Sequence, residues 1–373
     1  MPETGLRILY ITANVLGDAG ANAAEIFPRL SRQHPGVIQT IVADYYKNKS
    51  FIQNKQDAEF LKLKRRRFSW LQTIISAIRI ARKSRDEKID VMHVFYRQRS
   101  AGIIILLRLA LMVFRAKSRI LLDHRSVNLA RGQRGLTKKL VNLLIQPFVH
   151  HLAGNPWAVE TNHWFIFRPK HLIDLGYDQL PPCSPAQSQT PEARRIWFIG
   201  SLKPRNRKSD FLIRIFEALQ NMPISDPPLE VHIAGPARKS QADALNKIPS
   251  VTFYGRLPRD ELYELLASKP GIGIAFMNKE FHSYAPSLKF VEYAIMRFQI
   301  LASNTLGLRT QAQRMHLQNV QFVEEDVEAW ARQLHTAAQD LNTPAPIWED
   351  AEKWSYENIF NNQVIQVYET IAR

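Results

Sequence analysis

Cysteine is almost absent from this chain of 373 residues, where Cys183 stands alone. An intramolecular disulfide framework is therefore excluded, and there are no clustered thiolates for a structural zinc or iron–sulfur site. A reducing, cytoplasmic setting is expected. Long apolar runs are missing too: the most apolar, Ile103 to Phe114, is interrupted by Arg108 and falls short of the roughly 20 residues that span a bilayer. A buried helix is expected there. The start, Met1-Pro-Glu-Thr-Gly, runs straight into Arg7–Thr12 without the charged and apolar segments of a secretory leader, so no export is expected. Acidic residues are scarce in one half only. Residues 1–180 carry 29 Lys and Arg against 13 Asp and Glu, whereas 181–373 carry 21 of each, so the net charge of +16 sits in the first half. That asymmetry implies an anionic partner for the first half, such as a membrane surface, an acidic glycan or nucleic acid.

What is present is enough apolar material, 45% of the residues, for more than one core, and two domains follow as the prior. Strand-like runs at Arg7–Thr12, Val37–Ala43, Ile89–Phe95 and Arg119–His124 alternate with amphipathic stretches at Asn22–Gln33 and Leu71–Arg82. Such alternation predicts a parallel sheet covered by helices on both faces. The rhythm restarts after residue 193, with strands at Arg195–Gly200, Leu229–Gly235, Val251–Gly255, Gly271–Phe276 and Gln299–Ser303 and helices at Asp210–Leu219, Arg259–Ala267 and Ser287–Met296. Two Rossmann-like α/β domains are expected, 1–180 and 193–350. A proline-rich linker at 181–192 separates them, and a closing segment occupies 351–373.

The segment 271–303 is the most informative. A strand leads to Pro286, well tolerated in a first helical turn, and then to Ser287-Leu-Lys-Phe-Val-Glu-Tyr293. The first-turn N–H groups of Ser287 and Leu288 can receive a diphosphate, favoured by the helix dipole. Lys289 and Glu292 lie three apart and project from one face, which suits Lys289 for a phosphate oxygen and Glu292 for ribose hydroxyls. The same spacing fits an ordinary amphipathic helix with an exposed Lys–Glu pair.

Pro286, Lys289, Glu292, Tyr293, Ala302 and Ser303 match in order and spacing the Pro-x-Lys-x-x-Glu-Tyr helix and Ala-Ser strand end of GT-B glycosyltransferases. The segment closely resembles family 4 and its relatives. Ile196–Gly200 with the basic stretch Lys203–Lys208, Val231–Gly235, Val251–Pro258 and Trp354-Ser-Tyr with Gln363–Ile371 resemble further family segments. The resemblance implies two Rossmann-like domains facing each other across a cleft, with a C-terminal helix crossing back to the first. It also implies ribose binding by Glu292, diphosphate binding at the helix N-terminus and at Arg207 or Lys208, and no metal or other cofactor, the nucleotide sugar being a co-substrate. Gly17-Asp-Ala-Gly20 resembles the family's glycine-rich loop, in which Gly20 would let backbone approach the donor.

Departures from the family pattern are equally specific. Tyr284 stands eight residues before Glu292, where many retaining members carry a second glutamate. Ser201, itself a donor-binding candidate, follows Gly200 in place of arginine, and Arg297-Phe298-Gln299 replaces a Gly-Lys-Pro turn.

Two histidines end predicted strands, where the ligand crevice of a doubly wound sheet lies: His93 and His124. The resemblance places His124 in the donor-sugar pocket, and with Asp123 it could assist removal of the acceptor proton. Lys62–Trp70, containing Lys64, Arg65, Arg66, Arg67, Phe68 and Trp70, feeds an amphipathic helix whose Ile74 and Ile78 are expected to pack on the sheet. The loop itself suits anionic headgroups.

The expected activity is metal-independent transfer of a hexosyl or related sugar from a UDP- or GDP-sugar to a hydroxyl of a membrane-associated acceptor or glycan precursor. Polysaccharide, lipopolysaccharide and glycolipid synthesis are the settings in view, in the cytoplasm or at the inner face of the membrane. The rival readings are a nucleotide-sugar epimerase of the same fold, and a non-enzymatic protein binding membrane or nucleic acid through its basic half. The sequence carries no RNA-binding signature or zinc finger.

Overall fold

Runs of Val, Ile and Leu flanked by turn residues form most of the strands, and helices between them bury one stripe against the sheets. A computed structural model describes residues 5–16, 23–46, 58–59, 69–95, 101–124, 139–140, 143–154, 157, 170–178, 194–203, 209–223, 228–340, 345 and 348–373. It divides into two compact units, Met1–Asp174 with Ser355–Arg373, and Leu175–Trp354. The expected linker, 181–192, lies outside the described residues.

In the first unit the strands are β1 (Leu6–Leu16), β2 (Val37–Tyr46), β3 (Ala58–Glu59), β4 (Val91–Phe95), β5 (Arg119–His124), β6 (Val149–Ala153) and β7 (Lys170–Leu172). They pair in the order β3-β2-β1-β4-β5-β6-β7, every pair parallel. Cores lie on both faces. One buries Ile26, Phe27 and Leu30 together with the closing helical segment, where Ile359, Phe360, Val364, Tyr368 and Ile371 are covered. That segment contains one π-turn, Phe360–Val364, between α-helical stretches.

The opposite core receives Ala77, Ile80 and Ala81 from the helix Ser69–Asp86, and Ile104, Leu107, Ala110 and Leu111 from the helix Ala101–Val113. Ile74 and Ile78, expected to do this packing, are only half-buried. The apolar helix is not wholly buried either, because Leu109, Met112 and Val113 face outward and Val113 is 76% exposed. A helix covering a sheet needs one apolar stripe, and this one carries apolar residues all round.

The second unit contains β8 (Arg194–Ile199), β9 (Leu229–Ala234), β10 (Val251–Gly255), β11 (Ile272–Ala275), β12 (Gln299–Ser303) and β13 (Val320–Val323), all parallel, in the order β10-β9-β8-β11-β12-β13. Helices Ser209–Gln220 and Val327–Gln339 cover one face, while Arg259–Ser268 and Leu288–Ile295 cover the other. Strand order reverses between β8 and β11, and this is the position at which open parallel sheets bind ligands, beyond the C-terminal ends of the strands.

Candidate functional site

At the reversal point of the second unit, β8 and β11 pair only through Ile272 with Ile196 and Gly273 with Trp197. Beyond these residues the phenol of Tyr293 takes over the bonding. Its hydroxyl donates to the Trp197 carbonyl at 3.1 Å and accepts from the Ile199 N–H at 3.2 Å. The ring passes over Gly273, where a Cβ would lie 2.4 Å from Tyr293 Cγ, so only glycine fits. Burial pushes the Tyr293 hydroxyl far above its ordinary pKa and keeps it a donor. Tyr293 thus fixes the helix Leu288–Ile295 against the opened strands.

The N-terminus of that helix is held as firmly. Ser287 is the N-cap, and its hydroxyl accepts from the Lys289 N–H at 3.3 Å. The buried Gln311 side chain grips the Ser287 backbone from both sides, accepting from its N–H at 2.7 Å and donating to its carbonyl at 2.9 Å. The Ser287 N–H, expected to meet a phosphate oxygen, is therefore engaged by Gln311. The preceding loop packs on the next helix, whose Gly307 N–H donates to the Ser283 carbonyl at 2.8 Å. Tyr284, at the position of the absent second glutamate, is exposed.

Lys289 and Glu292 emerge on one side, as their spacing requires. Lys289 Nζ sits 4.1 Å from the ring centroid of Phe198 on β8. Glu292 is half-buried by surface area, and its Oε1 accepts from the Tyr263 hydroxyl at 3.1 Å. That hydroxyl in turn accepts from Arg259 Nη2 at 3.3 Å, and Arg259 Nη1 pairs with Asp178 Oδ2 at 3.0 Å. Removal from water raises the pKa of the Glu292 carboxyl, while the Tyr263 hydrogen bond and the charges of Arg259 and Lys289 oppose the rise. Burial, and then the negative charge of Glu292, raise that of Tyr263, which stays protonated and donates. The relay from Asp178 through Arg259 and Tyr263 leaves the second Glu292 oxygen for an external donor.

Close by, a hollow lined by Phe198, Phe276, Met277, Asn278 and His282 opens at the ends of β8 and β11. Ser201, just past β8, accepts from the Lys203 N–H at 3.3 Å and so closes its own turn. Gly235, with φ of 150°, comes so near Gly200 that a Cβ would lie 2.0 Å from the Gly200 carbonyl oxygen. Arg207, Lys208 and Gly20 lie outside the described residues, as do Lys64, Arg65, Arg66, Arg67 and Phe68; Trp70 is described in backbone only.

His124 and Asp123, in the first unit, are both buried and do not form a pair. They are neighbours on β5 and point to opposite faces of the sheet, as strand alternation dictates. Asp123 Oδ2 instead meets His93 Nε2 at 3.0 Å, and His93 Nδ1 meets the Tyr368 hydroxyl at 2.7 Å. Tyr368 donates to Tyr10 at 3.1 Å, and Tyr10 contacts Ser31 at 2.5 Å. His124 Nε2 contacts His151 Nδ1 at 3.1 Å. The histidine–carboxylate couple therefore involves His93 and ties the closing helix to the sheet. Among the described residues, no three His, Cys, Asp or Glu side chains come together in a way that could hold a metal ion.

This architecture is shared over its whole length by solved structures. A glycosyltransferase from Rickettsia africae superposes with a TM-score of 0.70 at 12% identity, covering 99% of both chains. HepE from Anabaena, solved with UDP and glucose, gives 0.69 at 15% identity over 98% of this chain and all of that one. The fold is GT-B. A putative UDP-N-acetylglucosamine 2-epimerase from Listeria monocytogenes shares this fold, at TM-score 0.61 and 11% identity over 98% and 97% of the two chains. No family model and no curated protein matches the chain in sequence.

Proposed function

We propose that this chain is a nucleotide-sugar-dependent glycosyltransferase whose second unit binds the donor. The observation that carries the reading is Glu292, oriented by Tyr263 beside the N-terminus of a helix at the strand-order reversal. Glu292 would accept protons from the ribose hydroxyls. Lys289, the Leu288 N–H and the helix dipole would face the diphosphate, joined by Arg207 and Lys208. As the glycosidic bond to the diphosphate breaks, negative charge grows on the leaving oxygen. Fixed positive groups stabilise that charge without having to reorganise. The presence of UDP and glucose in HepE supports UDP-sugars, with GDP-sugars second.

The sugar passes to a hydroxyl of a membrane-associated acceptor or glycan precursor. The basic first unit favours an anionic one, since its positive field concentrates such acceptors. His124 would assist removal of the acceptor proton, whereas Asp123, turned to the other face of the sheet, is held by His93. An epimerase is the second reading, favoured by the Listeria neighbour.

Thermal shift with UDP, GDP, CMP, ADP and their sugar conjugates tests the donor site, because binding to the native state alone raises the melting temperature. We expect one nucleotide class to stabilise the protein and Glu292→Ala to abolish the effect. Stabilisation by none refutes the reading. Conversion of a UDP-sugar to its epimer without any acceptor would favour the rival.

A further inference from the structure

Three helical segments of the first unit, Ser69–Asp86, Ala101–Val113 and a third described at 139–140 and 143–148, cover the same face of its sheet. Ala77 and Ile80 of the first, Ile104 and Leu107 of the second and Ile145 of the third share one core. Contacts between their side chains hold them together as a layer. Arg82 and Arg85, on the first segment, lie 5.1 and 5.8 Å from the ring of Phe114 at the end of the second, and Arg108 on the second lies 5.7 Å from Phe148 at the end of the third.

The outer side of this layer is apolar. Leu71 and Ile75, one turn apart, are exposed on the first helix. Leu109, Met112 and Val113 are exposed on the second, and Leu140, Leu144 and Phe148 on the third, with Leu144 at 63%. Eight of the twelve exposed large hydrophobic side chains among the described residues thus gather on one layer, whereas surface hydrophobics needing no explanation are scattered singly.

Cations surround these side chains. Arg79 and Arg82 continue the exposed stripe of Leu71 and Ile75, and Arg115 and Lys117 follow Val113. Among the described residues from Val91 to His150 there are five cations, Arg108, Arg115, Lys117, Arg119 and Lys139, against one acid, Asp123, which is buried. The acids at the end of the first helix are paired, Asp86 with Arg85 and Glu87 with Lys83. A second copy of the chain would bring the same positive charge against itself, and nucleic acid offers nothing to the apolar side chains. An anionic bilayer satisfies both, with acyl chains for Leu109, Met112 and Leu144 and headgroup phosphates for the arginines.

We propose that this three-segment layer is the surface by which the chain docks on anionic lipid, with the outer stripe of Ala101–Val113 at its centre. The contact is moved away from the Lys62–Trp70 loop, where the sequence alone would put it. The proposal rests on the reading above only in supplying a route to a membrane-associated acceptor, and vesicle binding can be measured without any donor.

The full chain is sedimented with vesicles of phosphatidylcholine alone and of an equal mixture with phosphatidylglycerol. Binding is expected to the mixed vesicles and not to the neutral ones. Replacing Leu109, Met112 and Val113 together by Ser lowers the partition coefficient by about tenfold or more. Arg79→Gln with Lys117→Gln lowers it by about tenfold. Neither set shifts the melting temperature, because the side chains are exposed; Leu144→Ser alone is the milder probe if the triple variant fails to fold. A fourth protein, with Lys64, Arg65, Arg66 and Arg67 changed to Gln, keeps the dependence on Leu109, Met112 and Val113. The proposal is overturned if wild type ignores anionic vesicles, or if only the loop variant loses binding. It is equally overturned if sedimentation velocity shows a dimer that the triple variant dissociates, which would give the face to a second copy. Failure of the thermal-shift experiment leaves these outcomes unaffected, so the two ideas fall separately.

Discussion

Changing Tyr293 to Phe removes one oxygen atom from the centre of the second unit and leaves the ring in place over Gly273 and against Phe298, whose centroid is 5.5 Å away. The two hydrogen bonds to β8 are lost. The Trp197 carbonyl and the Ile199 N–H, both on buried residues, stay out of water without this partner. An unsatisfied buried group costs about 1–3 kcal/mol; the N–H stands at the upper end and the carbonyl, with a second lone pair, at the lower, giving about 2–4 kcal/mol for the pair. For a unit of this size, each kcal/mol moves Tm by about 2–4 °C, so a fall of roughly 5–15 °C is expected. Calorimetry measures the fall, and hydrogen exchange of the peptide covering Arg194–Lys203 localises it. The Ile199 amide should lose protection while the first unit's peptides keep theirs. A Tm within about 1 °C of wild type, with Ile199 still protected, would refute the idea that Tyr293 replaces the missing strand pairing.

Two further predictions concern pH and backbone. Because the Glu292 carboxyl titrates above its unfolded value, its ionisation costs stability as pH rises from the unfolded pKa through the folded one. A ligand whose hydroxyls donate to the carboxylate binds more tightly over the same rise. Nucleotide affinity should therefore fall as pH drops through the raised pKa. Tyr263→Phe, which removes a stabilising donor, should move that fall to higher pH; an unchanged titration profile of Kd would count against Tyr263 as the positioning residue. Arg297 has φ of 58°, on the left-handed side where a side chain costs about 1–2 kcal/mol. It is clamped to Ala345, its Nε donating to that carbonyl at 3.0 Å and its own carbonyl accepting the Ala345 N–H at 3.1 Å. Urea titration should find Arg297→Ala less stable than Arg297→Gly by about 1 kcal/mol, since both lose the side-chain bond and only alanine keeps the backbone cost.

The alternation of β-branched runs and amphipathic stretches marks β1, β2, β4, β5 and β8 to β12 but not β6, β7, β13 or the helix Val327–Gln339, and the three-residue spacing of Lys289 and Glu292 puts them on one side of their helix. The strand Val149-His-His-Leu-Ala153 is harder to see, because two adjacent histidines interrupt its apolar run. What positions Glu292 was not visible at all. Tyr263 is 29 residues away and Asp178 lies 81 residues before Arg259, so only the folded chain makes them neighbours. Gln311, 24 residues from Ser287, is likewise an ordinary helical glutamine until it grips that backbone. The separation of Asp123 from His124, by contrast, follows from strand geometry alone. Arg297 shows how a departure from a family turn is accommodated: the left-handed position remains and a clamp offsets its cost.

The first unit owns both ends of the chain, so the closing segment Ser355–Arg373 completes a core begun by β1. During synthesis the order of completion is therefore inverted. The second unit, contiguous from Leu175 to Trp354, has all its residues while the first still lacks Phe360, Val364 and Tyr368. A product that stops at Trp354 would contain the whole second unit attached to a sheet whose His93 has lost its Tyr368 hydroxyl. Such a fragment would be held back by the half that was made first.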